Sequence, residues 1–458
     1  MRNRNDLSSV IKAYDVRGIV GQDIGDDFVY DVGAAYAYLL RGEGETTIAV
    51  GQDMRPSSPE LSDSFARGAA SQGLNVIKLG LTSTDELYFA SGKLNCAGAM
   101  FTASHNPAKY NGIKLCRAGA RPVSQDTGLG QITDMLVDGV PVFEGDAGEI
   151  TERDVLADYG AYLRELVDLS NIRPLVVAVD AANGMGGFTV PKVLESLPLD
   201  IRPLYFELDG TFPNHEANPL DPKNLVDLQK FTVEQKADIG LAFDGDADRC
   251  FVVDEKGEPV SPSAITALVA ERHLAEKPGA TIIYNLITSK TVPEIVAEKG
   301  GKSVRTRVGH SFIKAQMAEN NAVFGGEHSA HYYFANFFNA DSGLLAALHV
   351  LAALGSQNKP LSELMSEYMR YVASGEINST VDDQKAATEA VVEAFADRSE
   401  SVDRLDGVTI QLKDTPAWFN VRASNTEPLL RLNVEAPTKG EVDAIVTEVL
   451  GIIRGEAK

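Results

Sequence analysis

Basic residues are in short supply: 42 lysines and arginines face 65 aspartates and glutamates, a net charge of −23 with a pI near 4.7. Such a surface repels nucleic acid and anionic membranes, so neither is expected as a partner. It also repels phosphorylated metabolites, so any phosphate site must be a local basic pocket. Cysteine is scarce too. Cys96, Cys116 and Cys250 are scattered, with no C-x-x-C pair. That excludes a disulfide framework and a cysteine zinc site, and predicts a reduced, cytoplasmic setting. No apolar run is long enough for a membrane span. The richest, Leu344 to Leu354, contains His349 and reads as a core helix with Asp341 as its N-cap. Met1 to Asp6 is polar, with no apolar h-region, so no secretory signal is expected.

What is present is a chain of 458 residues, too long for one core and suited to three or four domains. Its 44% hydrophobic and 23% charged residues are those of a soluble globular enzyme. A strand, a turn and a helix recur three times, starting near Ile48, Val176 and Ile282. The first instance begins with a helix from about Asp27 and the strand Ile48–Val50. A helix with Ser58 as N-cap and Pro59 at N1 follows, then the strand Val76–Leu79. This predicts a mostly parallel sheet with helical cover, in a weak internal repeat of three α/β domains. A charged helix from Thr151 to Leu169 is expected to close the first domain. After a linker at Ala373-Ser374-Gly375, a helix (Gln384 to Ala396), three short strands and a final helix (Glu441 to Ile453) predict a small α+β domain.

Five short stretches carry chemistry. Tyr14-Asp15-Val16-Arg17-Gly18 reads as a tight turn that aims the Arg17 guanidinium. Thr102-Ala103-Ser104-His105-Asn106-Pro107 ends the apolar run Ala97 to Phe101, presenting a serine hydroxyl at a strand's carboxyl end, where ligands bind in such sheets. A serine is a weak nucleophile that needs a base, a cationic setting or prior modification, and the string alone also suits a Ser/Thr turn. Asp244-Gly245-Asp246-Ala247-Asp248-Arg249 puts three carboxylates on one side of a loop, which is costly unless a cation neutralises them. Oxygen ligands without His or Cys favour Mg2+, Ca2+ or Mn2+. An EF-hand would need glycine where Arg249 stands and helices where the flanks read as strands. Gly325 to His331 places Glu327, Ser329 and His331 at alternate positions, able to meet sugar hydroxyls or to form a polar turn. Arg422-Ala423-Ser424-Asn425-Thr426-Glu427-Pro428 combines a planar cation with short donors, an anion cradle or an ordinary turn.

The string T-A-S-H-N-P resembles the phosphoserine loop of the α-D-phosphohexomutases, the phosphomannomutase/phosphoglucomutase family. Y-D-x-R-G, D-G-D-x-D-R, G-E-x-S-x-H and R-x-S-N-T-E-P occur in that family's order, and the resemblance spans nearly the whole chain. It implies three similar α/β domains with mixed sheets plus a C-terminal α+β domain around a central cleft. Residues 1–150 would carry the phosphoserine, 151–258 the metal loop, 259–372 the sugar loop and 373–458 the phosphate clamp. By similarity, Asp244, Asp246 and Asp248 hold one Mg2+ together with the phosphate on Ser104. Arg17, Lys114 and His331 join Ser104 as catalytic residues. Tyr14, His105, Arg249, Gly309, His310, Glu327, Ser329, Arg422, Ser424, Asn425 and Thr426 bind substrate. The family's third-domain lysine is carried to Lys290 in a shifted register, because its usual place holds Asn285-Leu286-Ile287. Ala330 replaces a family glycine, and its extra Cβ narrows the loop's freedom.

The implied reaction interconverts hexose 1-phosphate and hexose 6-phosphate. Phosphorylated Ser104 donates to the substrate, the hexose 1,6-bisphosphate reorients in place, and its other phosphate returns to Ser104. Hexose 1,6-bisphosphate is thus the implied activator, hexose phosphates the partners, and monomer or homodimer the expected state. Exchange of orientation would call for hinge motion near Ala373–Gly375. A serine hydrolase is disfavoured, since no G-x-S-x-G is present and adjacent Ser104 and His105 diverge in an extended segment. A phosphatase would use the same parts with water admitted. A non-catalytic sugar-phosphate binding protein would need neither Ser104 nor all three aspartates. His328 stands where the glucosamine-specific branch usually has glutamine, which lowers the alternative of a phosphoglucosamine mutase without removing it. Glu327 and Ser329 suit mannose and glucose alike, and mannose phosphate is the expected substrate, with glucose phosphate as a second.

Overall fold

Short apolar runs closed by glycine or proline become strands in a computed structural model of the protein, which describes residues 2–423 and 429–455. The side chains of His310 and Ser311, and all of Ser424, Asn425 and Thr426, lie outside the described residues. The chain forms two compact units. One contains Met1–Val260 and Ser329–Leu364; the other contains Ser261–His328 and Met365–Lys458.

In the first unit, strand Thr47–Gln52 lies in parallel between Asn75–Leu81 and Ala97–Phe101. Tyr110–Arg117 then returns antiparallel beside Ala97–Phe101. A second sheet repeats the scheme. Leu175–Asp180 lies in parallel between Leu199–Leu204 and Ile239–Phe243, and Cys250–Val253 returns antiparallel. In the second unit, Thr281–Asn285 lies in parallel between Lys302–Thr306 and Phe324–Gly326. The strands that open the repeat in sequence therefore hold equivalent central places. The sheets are mixed rather than mostly parallel, because each return strand needs only a short loop to pair antiparallel. That loop, after the third strand of the repeat, carries Ser104 in the first sheet and the three aspartates in the second.

Buried aliphatic residues explain the layers. Helix Gly343–Gly355 is buried at all thirteen positions, as its unbroken apolar sequence requires, and each Leu or Val so enclosed contributes about 1.5–3 kcal/mol. Its N-cap is Ser342, whose hydroxyl accepts from Leu345 N at 3.0 Å, rather than Asp341. Asp341 belongs to the short strand Ala340–Asp341, and its extended backbone pairs with Tyr333. Ser57, one residue earlier than expected, holds the N-cap position of helix Ser58–Ser71, without a side-chain capping bond among the described residues. Arg17 lies in strand Val16–Ile19 and not in a turn. Gly18 is required there by packing, since a Cβ would approach that of Asp23 to 2.6 Å.

Two further expectations need correction. Thr151 to Leu169 is not one helix: strand Ile150–Glu152 pairs in parallel with Asn75–Leu81, and helix Leu156–Glu165 follows. Ala373-Ser374-Gly375 is not a linker but part of strand Val372–Thr380, with a bulge between Ala373 and Glu376 and Gly375 at φ +69°. The Ser-Gly composition marks that bulge, where the chain leaves ladder geometry. This strand begins a five-stranded antiparallel sheet that continues through Leu429–Ala436, Trp418–Ala423, Val408–Leu412 and Ser399–Asp403. Helices Gln384–Phe395 and Lys439–Ile453 share its core.

Candidate active site

Ser104 sits just past strand Ala97–Phe101 in the left-handed region, at φ +49°, and is 5% exposed. Its N–H donates to Thr102 Oγ1 at 2.9 Å, which bends the chain back on itself. The aspartate loop meets it there. A Cβ on Gly245 would come within 2.4 Å of the Ser104 carbonyl oxygen, so the glycine between the first two aspartates allows the loops to touch. Ser104 Oγ donates to Asp244 Oδ2 at 2.9 Å and accepts from Arg249 Nη2 at 3.3 Å. Arg249 also donates to His105 Nδ1 at 2.6 Å and, through Nε, to Asp244 Oδ2 at 2.9 Å. Burial, then the charges of Arg249 and Arg17, push the His105 pKa well below its usual value.

Asp244, Asp246 and Asp248 are at most 1% exposed and turn carboxylate oxygens to within 4.8 Å of one another. Lys114 Nζ donates to Asp246 Oδ2 at 2.7 Å and Asp248 Oδ2 at 2.6 Å, and Thr84 Oγ1 donates to Asp246 Oδ2 at 2.6 Å. Burial would lower the Lys114 pKa, but those two carboxylates hold it well above its usual value. Burial pushes Asp244 up to about 8, opposed by Arg249 and reinforced by Asp248 and Asp246. Burial also acts to raise Asp246, yet Lys114 holds it well below the carboxylate range. Oδ1 of Asp246 and Oδ1 of Asp248 are buried with no hydrogen-bond donor among the described residues. Unpaired buried carboxylate oxygens cost several kcal/mol unless something satisfies them. A hard divalent cation fits this all-oxygen set.

Arg17 Nη1 donates to Asn106 Oδ1 at 2.7 Å and also pairs with Asp15. His331 Nε2 is 3.8 Å from Asp248 Oδ1, and its Nδ1 is 3.0 Å from Ser329 Oγ. Ala330 between them takes the left-handed conformation at φ +65°, fully buried, so alanine follows a turn that suits glycine at some cost in strain. Tyr14 is half-buried ahead of the Arg17 strand. The first unit thus brings together Ser104, His105, Arg17, Lys114, Arg249, the three aspartates, Ser329 and His331.

The second unit contains a separate polar group. Glu327 Oε1, buried at the end of strand Phe324–Gly326, accepts from Asn285 Nδ2 at 3.0 Å and from Gly309 N at 3.2 Å. His328 Nδ1 lies 3.2 Å from Ser263 Oγ, and burial lowers its pKa. Lys290 precedes helix Thr291–Glu298. Its N–H donates to Glu435 Oε1 at 2.9 Å, and its side chain lines a cavity of about 250 Å³ with Tyr284, Arg305 and Trp418. Arg422 Nη2 is 3.5 Å from Glu376 and Nη1 is 3.9 Å from Asp406; burial lowers its pKa against the pull of these acids. Two residues that the sequence reading passed over also belong to the first unit's cluster. Thr84 reaches Asp246 across 162 residues, and Arg55 donates to the serine loop's backbone. The only sequence signal for Arg55 was its position at the carboxyl end of a strand, in Gly51-Gln52-Asp53-Met54-Arg55.

The chain matches known proteins along nearly its whole length. Residues 8–136, 157–257, 261–371 and 376–452 match, in turn, the alpha/beta/alpha domains I, II and III and the C-terminal domain of phosphoglucomutase/phosphomannomutase. Curated relatives include phosphohexose mutases of Xanthomonas campestris pv. campestris, 40% identical over 97% of this chain and 99% of theirs. Another is the phosphomannomutase of Salmonella montevideo, 38% identical over 96% of this chain and 98% of that protein. A crystal structure of a phosphoglucomutase/phosphomannomutase family protein from Burkholderia thailandensis superposes with a TM-score of 0.90 at 29% identity, covering 100% of this chain and 99% of that one. The protein is a mutase, an intramolecular phosphotransferase. It belongs to the phosphoglucomutase/phosphomannomutase family.

Proposed function

We propose that the protein interconverts mannose 1-phosphate and mannose 6-phosphate, with glucose phosphates as second substrates, through phosphoserine at Ser104 and a hexose 1,6-bisphosphate. The observation that carries this is the buried Ser104 hydroxyl, bonded to both Asp244 and Arg249 beside two unsatisfied aspartate oxygens. In the first step the Ser104 O–P bond breaks while a bond forms from phosphorus to the sugar hydroxyl oxygen, whose proton leaves to the protein. The second phosphate returns to Ser104 by the reverse step. Arg249 supplies fixed positive charge at the serine hydroxyl, and Lys114 supplies it at the neighbouring Asp246 and Asp248, where negative charge develops. Arg17, Lys114 and His331 are assigned to charge balance and proton relay. A guanidinium offers donors only and Lys114 is held by two carboxylates, so the proton is assigned to the His331 ring nitrogen. Asp244, Asp246 and Asp248 would hold Mg2+, which when bound polarises the phosphoryl group.

Glu327, Ser329, Gly309, His310, Tyr14 and His105 are assigned to the sugar phosphate, with Lys290 as an additional cation. Arg422, Ser424, Asn425 and Thr426 are assigned to the phosphate that is not reacting. The domains carrying these parts are taken as 1–150, 151–258, 259–372 and 373–458. Steady-state kinetics on mannose 1-phosphate, glucose 1-phosphate and glucosamine 1-phosphate, with Mg2+ and a trace of hexose 1,6-bisphosphate, test the reading. The first two are expected to give kcat/KM within about tenfold of each other, and the amino sugar to be slower by about a hundredfold. Ser104→Ala should abolish turnover. No turnover of any of the three sugars by the phosphorylated enzyme would remove the mutase assignment, and preference for glucosamine phosphate would overturn the choice of sugar.

A further inference from the structure

We infer that Arg55 is the positioning residue for the phosphoryl-carrying serine, acting as a template on which the loop backbone is laid. The inference rests on the reading of Ser104 as the phosphoryl carrier. Arg55 follows strand Thr47–Gln52 in the turn before helix Ser58–Ser71 and is 1% exposed. Its guanidinium has five N–H donors, and the structure uses all five. Nη2 donates to the carbonyl of Ser104 at 2.9 Å and of Asn106 at 2.7 Å. Nη1 donates to the carbonyls of Pro107 and Tyr110, both at 3.0 Å. Nε donates to Asp53 Oδ2 at 3.2 Å.

Three carbonyls of one irregular loop, and that of Tyr110 at the start of the strand after it, therefore converge on one rigid cation. The loop from Thr102 to Lys109 forms no helix or strand, and its key residue takes a left-handed conformation that serine does not favour. Anchoring the Ser104 carbonyl holds that conformation. Anchoring Asn106 also fixes the amide that receives Arg17 Nη1 at 2.7 Å. Arg55 is itself held. Asp53 Oδ1 accepts from Arg55 N at 3.0 Å and Ser58 Oγ at 2.6 Å, and the Phe212 ring lies 5.1 Å from the guanidinium carbon. Nothing places Arg55 on a reacting atom; it acts through Ser104. Lysine keeps the charge beside Asp53 but has three donors and no planar fork, so it cannot hold four carbonyls.

The test compares the full-length protein with Arg55→Lys, Asp53→Asn and Ser104→Ala. The readouts are kcat, KM, thermal midpoint, and the rate at which hexose 1,6-bisphosphate phosphorylates Ser104, followed by intact mass. Arg55→Lys is expected to lower kcat and Ser104 phosphorylation about a hundredfold, with KM changed less than about threefold, as displacement of a reacting group predicts. Asp53→Asn, which keeps the guanidinium and loosens its anchor, should lower kcat about tenfold with the same KM pattern. It decides the question if Arg55→Lys does not fold. A folded variant with kcat within about threefold of the parent would overturn the inference. So would a loss of kcat that vanishes well below the variant's thermal midpoint, because it would then report unfolding. Turnover by Ser104→Ala would instead remove the carrier reading, whatever Arg55 does.

Discussion

Asn285 keeps a second negative charge away from Glu327. Its amide donates to Glu327 Oε1 at 3.0 Å, and its own oxygen accepts from Thr288 Oγ1 at 2.7 Å. Replacing the amide with a carboxylate would set two buried acids at contact distance, and one would be driven to protonate. Asn285→Asp is therefore expected to raise KM for the hexose phosphate about tenfold, with a smaller change in kcat, measured by steady-state kinetics at neutral pH. An unchanged KM would remove Glu327 from sugar recognition. The same residues show what a sequence can display. Ser104 and the three aspartates lie in short strings whose chemistry is local, so a reader meets them together. Arg55 and Thr84 work at separations of 49 and 162 residues, and Arg55 addresses backbone carbonyls, which leave no trace in residue identity. Asn285 was visible only as a departure from a family pattern, and its partner emerges from the fold.

Helix Thr84–Leu94 joins the aspartate loop to the core. Its Ser83 cap forms a reciprocal capping box with Glu86, and Asp85 accepts from both Tyr159 and Ser342 at 2.6 Å. Acids suit a helix N-terminus, but these two are buried. Burial pushes Asp85 up to about 6 and Glu86 up to about 8; Asp85 and Asp154 add to the rise at Glu86, while the Ser83 N–H opposes it. A carboxyl raised on folding binds a proton that the unfolded chain has lost. Stability from Glu86 is therefore greatest below its unfolded pKa near 4.5 and is lost as pH rises through about 8, at up to about 1.4 kcal/mol per pH unit. Glu86→Gln, which stays neutral, should gain in thermal midpoint relative to the parent between pH 5.5 and 8.5, followed by circular dichroism. A relative loss over that range would contradict a protonated Glu86. Continuously apolar elements were legible in sequence, as in strand Ile239–Phe243, which is buried at all five positions. Ile150–Glu152 and Ser399–Asp403 were not, since edge strands lie largely exposed and show no alternation.

The net charge of −23 sets the problem for the whole molecule, because a phosphate must be drawn to a strongly acidic protein. Lys114 and Arg249 supply local positive charge, yet the three aspartates they touch outnumber them, and a divalent cation would complete the balance. All three aspartates lie in the first unit, whereas Trp418, the only tryptophan in the chain, lies buried in the second and donates to Glu435 at 2.8 Å. The two consequences can be read separately. A cation that binds only the folded first unit stabilises it by about 2.7 kcal/mol at a hundred times Kd. For a unit of this size that corresponds to a rise of roughly 5 °C. Calorimetry with Mg2+ or with chelator should show one transition moved by about that amount, while the tryptophan fluorescence transition stays within about 1 °C. Asp248→Asn should abolish the shift. If both transitions move together, the two units unfold as one cooperative body. If neither moves, the orphaned oxygens of Asp246 and Asp248 hold no divalent cation, and the charge balance rests on the cationic side chains, Lys114, Arg249 and Arg17.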